Sequence, residues 1–399
     1  MRIAFFASGI SPHIAPMCDE LYKYSDGNFK FFATDKDIIP AMKIMGAENL
    51  HKEKPYFVNV NDSTENLIMS EEWAREADVA IVGCSNCYRF IDIRFETGNK
   101  LTFKLRERLF KSGKRLKDDE KEQRKINVLT KYKDKNLYFL AAGTYAPSDL
   151  ITIGICDRKI IKWGYFPNVS NKSFNELSKS IDGTVRLIWF GRFVREKLSL
   201  NAIKATQMLI ANGYDVCLSM IGYGDEENVL KKYVAENGLN EKISFLGPMN
   251  ENEIRRELQT SHIFLMTSNY EEGWGVVVNE AMSEGCVPVV SYATGASQMM
   301  IEDSECGKLF HYDNLPDLVF QIELLINNRE LIKTCSKNAY NSISDLWNAE
   351  VAVKRLMDLI NSIITGDPVI KYHSGPCSKI IPFGNEEDLK NYITRRRKG

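Results

Sequence analysis

From residue 185 onward, short apolar runs alternate with segments of helical periodicity. VRLIWF (185–190) predicts a strand, and the apolar residues that follow it recur at steps of four, three and four, as on one face of a helix. The pattern returns in DVCLSMI with NVLKKYVAEN, KISFLG with NENEIRREL, and HIFLMTS with VVVNEAMSEG, and VPVVSY ends the series. Strands joined by such helices pair in parallel through right-handed crossovers. This half is therefore predicted to be a doubly wound α/β domain.

The first half of the chain repeats this pattern less regularly. RIAFFAS, FKFFAT, ADVAIVG and NLYFLAAG predict buried strands, and IAPMCDELYKY predicts a helix. We therefore predict two Rossmann-like α/β domains with parallel sheets, facing across a cleft. The first domain spans 1–170, a polar linker 171–184 and the second domain 185–345, and a C-terminal helix and basic tail over 346–399 packs back on the first domain. Ligands of such sheets lie beyond the carboxyl ends of the strands.

Composition narrows the class of protein. A chain of 399 residues exceeds what one core usually organises, and 44% hydrophobic with 26% charged residues is ordinary for a globular protein. Fifty-two basic residues against 53 acidic ones give no reason to expect wrapping of nucleic acid. The apolar start is too short for a signal peptide, and no run approaches the ~18 apolar residues that span a membrane. Nine scattered Cys fit reduced thiols, so a cytoplasmic protein is expected.

Four loops after predicted strands of the second half carry residues suited to an anionic ligand. Arg192 and Lys197 could supply positive charge to a diphosphate, the first through a bidentate fork and the second as a point charge. Because the carboxyl ends of parallel strands meet at one edge of a sheet, the four loops are expected to lie together. The loops are GRFVREK (191–197), IGYGDEE (221–227), LGPMNEN (246–252) and SNYEEGWGVVVNE (268–280).

The fourth loop places two carboxylates at the spacing E(x7)E. Gly273 and Gly275 permit close backbone approach at the start of a helix, where free N–H groups favour anions. Glu272 could accept hydrogen bonds from sugar hydroxyls, and Glu280 could reach a ribose diol. The ordinary alternative is a pair of solvated carboxylates near a helix start. Their place in an ordered array of loops favours a binding site.

The array GR(x4)K, IGYG, FLG, E(x7)E and PVV with ATGAS, over about 185–310, resembles the donor half of family 4 glycosyltransferases of the GT-B fold. SPHIAPMCDELY, GNKLTFKLRERLFK and KWGYFPN resemble more weakly a bacterial subgroup that builds cell-surface polysaccharides. The resemblance implies retaining, metal-independent transfer of a sugar from a nucleotide-diphosphate sugar to a hydroxyl of a saccharide, commonly lipid-linked. It implies no cofactor, and an N-terminal domain that binds the acceptor.

The resemblance also implies roles for individual residues. Arg192, Lys197 and Glu272 would be catalytic, the first two on the diphosphate and the third at the donor sugar. Glu280 would bind the ribose, and the backbone of Met249 would lie near the base. The other implied donor contacts are Gly191, Gly222, Gly224, Gly273, Trp274 and Gly275, with Gly9 and His13 as contacts from the N-terminal domain.

Two departures from the family pattern keep alternatives open. Many members have Gly or His after the lysine of the GR motif, whereas this chain has Leu198, so Arg195 is an alternative diphosphate ligand. The N-terminal domain has no evident His at the end of a middle strand, and His13 lies on a different loop. A degenerate nucleotide-sugar-binding scaffold subunit, or another GT-B activity such as an epimerase or a phosphorylase, therefore stays possible. A nicotinamide dehydrogenase is disfavoured because no GxGxxG follows either first strand.

Three other features have functional and ordinary interpretations. Residues 104–135 hold thirteen Lys or Arg against six acidic residues. The ordinary interpretation is a solvated segment, but the excess of positive charge favours contact with anionic lipids on the inner face of the cell membrane. RRRKG at the C-terminus could assist. Cys84 and Cys87 have redox-motif spacing, but without a second pair or an evident thioredoxin-like context they are interpreted as structural thiols. Asp35 and Asp37 predict a turn, and no metal site is expected.

Overall fold

The computed structural model describes residues 1–36, 54–111, 120–177, 179–297, 305–366, 370–385, 387–389 and 391. The chain divides into two compact units. The first comprises Met1–Asn168 with Ala349–Pro382, and the second comprises Val169–Asn348 with Phe383–Gly399. Each unit contains one parallel sheet and its own buried apolar core.

The strands and helices alternate along the chain. The strands of the first unit are β1 (Ile3–Ala7), β2 (Phe29–Ala33), β3 (Phe57–Asn59), β4 (Val79–Val82), β5 (Leu101–Arg106), β6 (Leu137–Ala142) and β7 (Ile160–Trp163). Its helices are α1 (Ala15–Tyr24), α2 (Thr64–Glu76), α3 (Tyr88–Glu96), α4 (Glu120–Lys131) and α5 (Ala146–Thr152). The strands of the second unit are β8 (Val185–Arg192), β9 (Val216–Tyr223), β10 (Ile243–Gly247), β11 (Ile263–Met266), β12 (Val287–Ser291) and β13 (Lys308–Phe310). Its helices are α6 (Phe174–Leu177), α7 (Ser199–Ala211), α8 (Glu227–Glu236), α9 (Glu251–Thr260), α10 (Val277–Ser283), α11 (Leu315–Ile326) and α12 (Arg329–Asp345), and α13 (Ala349–Ile364) returns to the first unit.

The first sheet has the order β3-β2-β1-β4-β5-β6-β7, and its strands are parallel. Ile3 of β1 is opposite Phe29 on one side and Val79 on the other. The strands are nearly continuous apolar runs, which is typical of parallel sheets covered on both faces. Helix α13 packs against α1, so residues after the second unit complete the first one.

The second sheet has the order β10-β9-β8-β11-β12-β13, again parallel throughout. The chain moves outward from β8 in one direction and then returns to its other side at β11. The predicted pair of doubly wound parallel-sheet domains is confirmed. Strands β8 and β11 flank the point where the strand order reverses, which is where open α/β sheets bind ligands.

The structure contains strands that the sequence patterns did not predict. β3 and β13 have three residues each, too few to show a periodicity. β5 was not predicted because two charged residues, Lys104 and Arg106, interrupt its apolar run. Lys104 is nevertheless fully buried in the first unit.

The segment predicted as a linker, 171–184, is held to the second unit by hydrogen bonds. It contains α6, and the Nζ of Lys179 donates hydrogen bonds to backbone carbonyls of Leu258, Ser261 and Glu284 in the second unit. These residues therefore belong to the second unit rather than to a free connection.

Candidate functional site

The candidate site lies where β8 and β11 end side by side. Ile263 of β11 is opposite Leu187 of β8, so the loops that follow these strands leave the same edge of the sheet. The loop after β8 contains a 3₁₀ turn over Arg195–Lys197, and the loop after β11 contains Glu272. The strand order thus brings together two segments that are about seventy residues apart in sequence.

Lys197 and Glu272 form an ion pair at this point. The Nζ of Lys197 contacts the Oε2 of Glu272, and the two side chains are only 18% and 14% exposed. The hydroxyl of Ser268 lies 3.3 Å from the same carboxylate oxygen and donates to it. The arrangement brings a fixed cation and a fixed acceptor within a few ångströms of each other, as needed to bind a phosphate and a neighbouring hydroxyl group.

Residues of the sheet hold both loops in place. The hydroxyl of Thr267 donates to the carbonyl of Lys197 at 2.7 Å and accepts from the indole Nε1 of Trp189 at 3.0 Å. The backbone N–H of Asn269 donates to the carbonyl of Glu196 at 3.0 Å. Sequence analysis did not select Thr267 or Ser268. Their position directly after a predicted strand was the signal that could have identified them.

Arg192 and Arg195 occupy a different environment from Lys197. Arg192 ends β8 with its side chain 56% exposed, and its nearest carboxylate, that of Glu196, is 3.9 Å away. Arg195 is exposed in the 3₁₀ turn. Of the two alternatives for the inner cation, the structure thus places Lys197, not Arg195, beside Glu272. Arg192 is left accessible for a ligand at the edge of the sheet.

Two of the predicted ligand-binding glycines are required by backbone packing. Gly222 has a φ of 141°, and a Cβ there would lie 1.8 Å from the carbonyl oxygen of Gly191. A Cβ on Gly224 would lie 2.4 Å from the carbonyl oxygen of Phe193. The neighbouring ends of β8 and β9 therefore exclude side chains at both positions, whether or not a ligand binds.

The turn between the two carboxylates packs into the interior of the second unit. Trp274 is buried, its Nε1 donates to the Oδ1 of Asn279 at 2.9 Å, and its ring lies 5.8 Å from that of Trp347. A Cβ on Gly275 would come within 2.7 Å of the Cγ2 of Thr294. Gly273 is also buried. The structure thus explains Trp274 by packing, and a donor contact for it stays a prediction.

Glu280 lies on α10, which begins at Val277 and has only seven residues. Burial and the neighbouring charge of Glu251 raise the pKa of Glu280 to about 8, although the guanidinium of Arg255 acts in the opposite direction. Arg255 is itself engaged in ion pairs with Glu251 and Glu284. A partly desolvated carboxyl beside another carboxylate is typical of ligand-binding sites, where perturbed pKa values concentrate.

Met249 lies in the loop after β10, at the same edge of the sheet. It is half-buried and precedes Asn250, the N-cap of α9. The side chain of Asn250 accepts from the N–H of Glu253 at 3.1 Å, and the Glu253 carboxylate accepts from the N–H of Asn250 at 2.8 Å. These two hydrogen bonds form a capping box, which fixes the backbone that follows Met249.

The first unit has a polar cavity of about 610 Å³ at the carboxyl edge of its sheet. Thr34, Asn61, Asn86 and Arg89 line it from the segments that follow β2, β3 and β4. Sequence analysis missed these residues, because isolated Asn residues after strands resemble ordinary turn formers. Gly9 and His13 follow β1 at the same edge, and each is half-buried.

Only part of the predicted basic surface is available to solvent. Lys104 and Arg108 are buried, with the guanidinium of Arg108 4.8 Å from the ring centre of Tyr145. Lys111 is exposed. Residues 112–119, the RRRKG tail and Asp37 lie outside the described residues. Across the part of the chain that is described, no helix is both long and apolar enough to cross a membrane, and no group of three or more His, Cys, Asp or Glu could hold a metal ion.

Comparison with known proteins finds similarity to a family of transferases within the second unit. Residues 173–342 match the family model of group 1 glycosyl transferases. An uncharacterized glycosyltransferase of Haemophilus influenzae is 31% identical over 131 residues, covering 32% of this chain and 36% of that protein. The amylovoran biosynthesis glycosyltransferase of Erwinia amylovora is 31% identical over 201 residues, covering 49% of each. The matches span about a third to a half of the length of these two relatives.

Solved structures show the same fold over nearly the whole chain. HepE of Anabaena, in complex with UDP, has a TM-score of 0.69 at 16% sequence identity, and the match covers 91% of this chain and 100% of that one. The likeness shows that the two parallel-sheet units have the GT-B fold, as predicted from the sequence. Together with the family match, it supports a glycosyltransferase of the GT-B type.

Proposed function

We propose that this protein is a retaining glycosyltransferase of family 4, which moves a sugar from a nucleotide-diphosphate sugar to a hydroxyl of a saccharide acceptor. The observation that carries the proposal is the Lys197–Glu272 pair at the switch point of the second sheet. It joins a cation and an acceptor within a unit that matches a glycosyltransferase family. HepE, which has the same fold, binds UDP in its solved structure.

The donor would lie along the carboxyl edge of the second sheet. Arg192 and Lys197 would contact the diphosphate, and Glu272 would accept hydrogen bonds from hydroxyls of the donor sugar. Glu280 would bind the ribose diol, with the backbone of Met249 near the base. The backbone amides of the Gly273–Gly275 turn would complete the phosphate contacts. Because Lys197 and Glu272 touch each other, one ligand that joins phosphate to sugar can contact both.

Stabilisation of the leaving group would supply most of the catalysis. As the bond between the anomeric carbon and the diphosphate breaks, negative charge grows on the phosphate oxygens. Preorganised cations stabilise that state more than they stabilise the bound donor. Arg192 and Lys197 supply this charge, so we propose transfer without a metal ion or a cofactor. The acceptor hydroxyl would attack the face from which the diphosphate leaves and pass its proton to the departing phosphate oxygen, which retains the anomeric configuration.

The acceptor would bind at the polar cavity of the first unit. Asn61 and Asn86 offer amide donors and acceptors for sugar hydroxyls, and Arg89 offers a cation for an anionic group. The relative from Erwinia amylovora acts in amylovoran biosynthesis, so we propose a role in surface polysaccharide assembly with a lipid-linked acceptor. Exposed basic residues such as Lys111 within 104–135 would then hold the protein at the inner face of the cell membrane.

No specific observation favours the alternative of a degenerate scaffold subunit. That alternative rested on Leu198 in the lysine motif and on the missing His. Lys197 nevertheless contacts Glu272, so the departure at Leu198 has not removed the cation from the site.

Matched substitutions test the proposal. Arg192→Ala and Glu272→Ala should each lower sugar transfer more than tenfold, a loss of about 1.4 kcal/mol or more in transition-state stabilisation. Arg256→Ala and Glu271→Ala remove exposed side chains of the same types in the same unit and should leave transfer within about twofold. The assay measures release of nucleoside diphosphate with a panel of nucleotide sugars, and thermal unfolding confirms that each variant is folded. Full activity in either of the first two variants would refute the assigned site.

A further inference from the structure

The first unit contains a pair of thiols in contact, whereas the proposed donor residues belong to the second unit. The Sγ atoms of Cys84 and Cys87 are 3.0 Å apart, and the hydroxyl of Thr34 lies 3.4 Å from the Sγ of Cys87. Cys84 is half-buried and Cys87 is buried. A disulfide bond is about 2.05 Å long, so the two sulfur atoms are roughly 1 Å from bonding distance.

The pair lies between a strand and a helix of the first unit. Cys84 follows β4 after one glycine, and Cys87 is the N-cap of α3, which has nine residues. A strand, a C-x-x-C segment and a helix thus succeed each other, with the thiols at the start of the helix. Sequence analysis found no such context and favoured structural thiols. Cys84 directly precedes the 3₁₀ turn Ser85–Cys87 that leads into α3, and the N–H groups at the start of a helical segment favour a thiolate, which is the form that reacts.

A buried lysine supplies a second stabilising group. The Nζ of Lys104, on the neighbouring strand β5, donates to the carbonyls of Val82, Gly83 and Cys84 at 3.2, 2.7 and 3.2 Å. The hydrogen bond from Cys87 and the charge of Lys104 lower the pKa of Cys84 to about 7, whereas burial and the charge of Asp35 act in the opposite direction. Burial and the charge of Arg106 lower the pKa of Lys104 itself to about 7, so Lys104 titrates in the same pH range as Cys84. The pKa of Cys87 is raised by its hydrogen bond to Cys84 and by burial. The more accessible thiol is therefore also the more reactive one.

We propose that Cys84 and Cys87 form a reactive dithiol site, which small-molecule disulfides such as oxidised glutathione convert reversibly to an intramolecular disulfide. The Cys84 thiolate attacks one sulfur of oxidised glutathione, which forms a mixed disulfide and releases one glutathione thiolate. Cys87 then loses its proton and attacks the Sγ of Cys84, which releases the second glutathione. Two thiols are oxidised, one disulfide is reduced to two thiols, and the protons pass to the released thiolates.

The position of the pair gives the reaction a structural consequence. Asn86, between the two cysteines, donates to the Oδ1 of Asp35 at 2.6 Å and lines the polar cavity of the first unit. Closing the disulfide requires the two ends of this short segment to approach. The segment that carries the two cysteines therefore contributes Asn86 to the wall of the cavity, whichever ligand the cavity binds.

Mass spectrometry of the full chain after exposure to oxidised glutathione tests the proposal. In the wild-type protein, the peptide containing residues 84–87 should lose two hydrogens, carry no glutathione, and return to the dithiol on addition of excess reduced glutathione. In Cys87→Ala, Cys84 should keep its glutathione. The fraction of Cys84 that carries glutathione should be roughly tenfold or more higher in Cys87→Ala than in the wild type. In the wild type, Cys87 is held next to the mixed disulfide at a high effective concentration and displaces the glutathione. Cys156, an exposed cysteine, serves as the internal control for an isolated thiol.

The pH dependence of alkylation provides a second measurement. In the wild-type protein, alkylation of Cys84 should have its midpoint near pH 7, and in Cys87→Ala the midpoint should rise because the stabilising hydrogen bond is lost. The proposal would be overturned if Cys84 and Cys87 both stay reduced under conditions in which Cys156 already carries glutathione. A stable glutathione adduct on wild-type Cys84, or a disulfide that excess reduced glutathione leaves intact, would overturn it as well.

Discussion

The raised pKa of Glu280 predicts that nucleotide binding strengthens as the pH rises. A ribose diol presents two O–H donors, and only the ionised carboxylate accepts from both. With a pKa of about 8, the ionised fraction of the ligand-free protein is roughly 0.09 at pH 7 and roughly 0.91 at pH 9. The apparent affinity for a nucleoside diphosphate should therefore rise about tenfold between these values, equivalent to about 1.4 kcal/mol.

The control variant for this prediction is Glu280→Gln. The amide keeps the size of the side chain but does not titrate, so its affinity should follow only the ionisation of the nucleotide and of other groups. Titration calorimetry measures the affinity of the wild type and of Glu280→Gln at pH 7, 8 and 9, which gives the ratio of the two affinities at each pH. The ligand is the nucleoside diphosphate that most raises the melting temperature of the wild type. A ratio that stays constant over this range would refute the assignment of Glu280 to the ribose.

The same pKa predicts a change in stability without any ligand. Because the pKa of Glu280 is higher in the folded chain than the ~4.3 of an unfolded Glu, the folded state binds more protons between these values. The stabilising effect of the protonated carboxyl is complete below pH 4.3 and is lost as the pH rises to about 8. Denaturation at pH 5.5 and 8.5 should show the wild type losing more stability than Glu280→Gln, by at most about 1.4 kcal/mol per pH unit. Equal losses would contradict the buried environment of Glu280.

Three further predictions test other parts of the structure. Asn61→Ala and Arg89→Ala should each raise the KM for the acceptor several-fold and leave the KM for the donor unchanged, as measured by initial rates. Gly222→Ala should lower the free energy of unfolding by about 3 kcal/mol or more, whereas Gly238→Ala, with open space around its Cβ position, should cost about 1 kcal/mol. Lys197→Met should lower transfer more than tenfold and Arg195→Met less than twofold, and the reverse order would assign the diphosphate to Arg195.

The sequence predicted the architecture well because parallel strands carry a strong and redundant signal. Strands β8 to β12 have four to eight residues and are rich in apolar side chains, and the helices between them begin and end near recognisable residues such as Asn250 and Gly238. The short strands β3 and β13 were not predicted, because three residues are too few to show a periodicity. β5 was not predicted because it contains charged residues. Composition does not distinguish a buried lysine that donates to three carbonyls from an exposed one.

The sequence located the candidate site but not the contacts within it. Positions after strand ends selected Lys197 and Glu272 and predicted that their loops share one edge of the sheet, but only the strand order shows that these two loops are immediate neighbours. The same positional rule selected Gly222, but the structure assigns it to contact between backbones. Contacts between Cys84 and Cys87 or between Lys104 and its carbonyls depend on side-chain direction, which periodicity does not specify.

The departure at Leu198 shows how a changed sequence can preserve a site. Leu198 has a φ of 47°, a left-handed conformation that glycine adopts freely and that costs other residues roughly 1–2 kcal/mol. Many members of the family that the chain resembles have Gly or His after this lysine, and in this chain leucine adopts the left-handed conformation at that position. The hydroxyl of Thr267, which donates to the carbonyl of Lys197, fixes the residue before it. The unfavourable backbone conformation is thus confined to Leu198, and the side chain of Lys197 contacts Glu272.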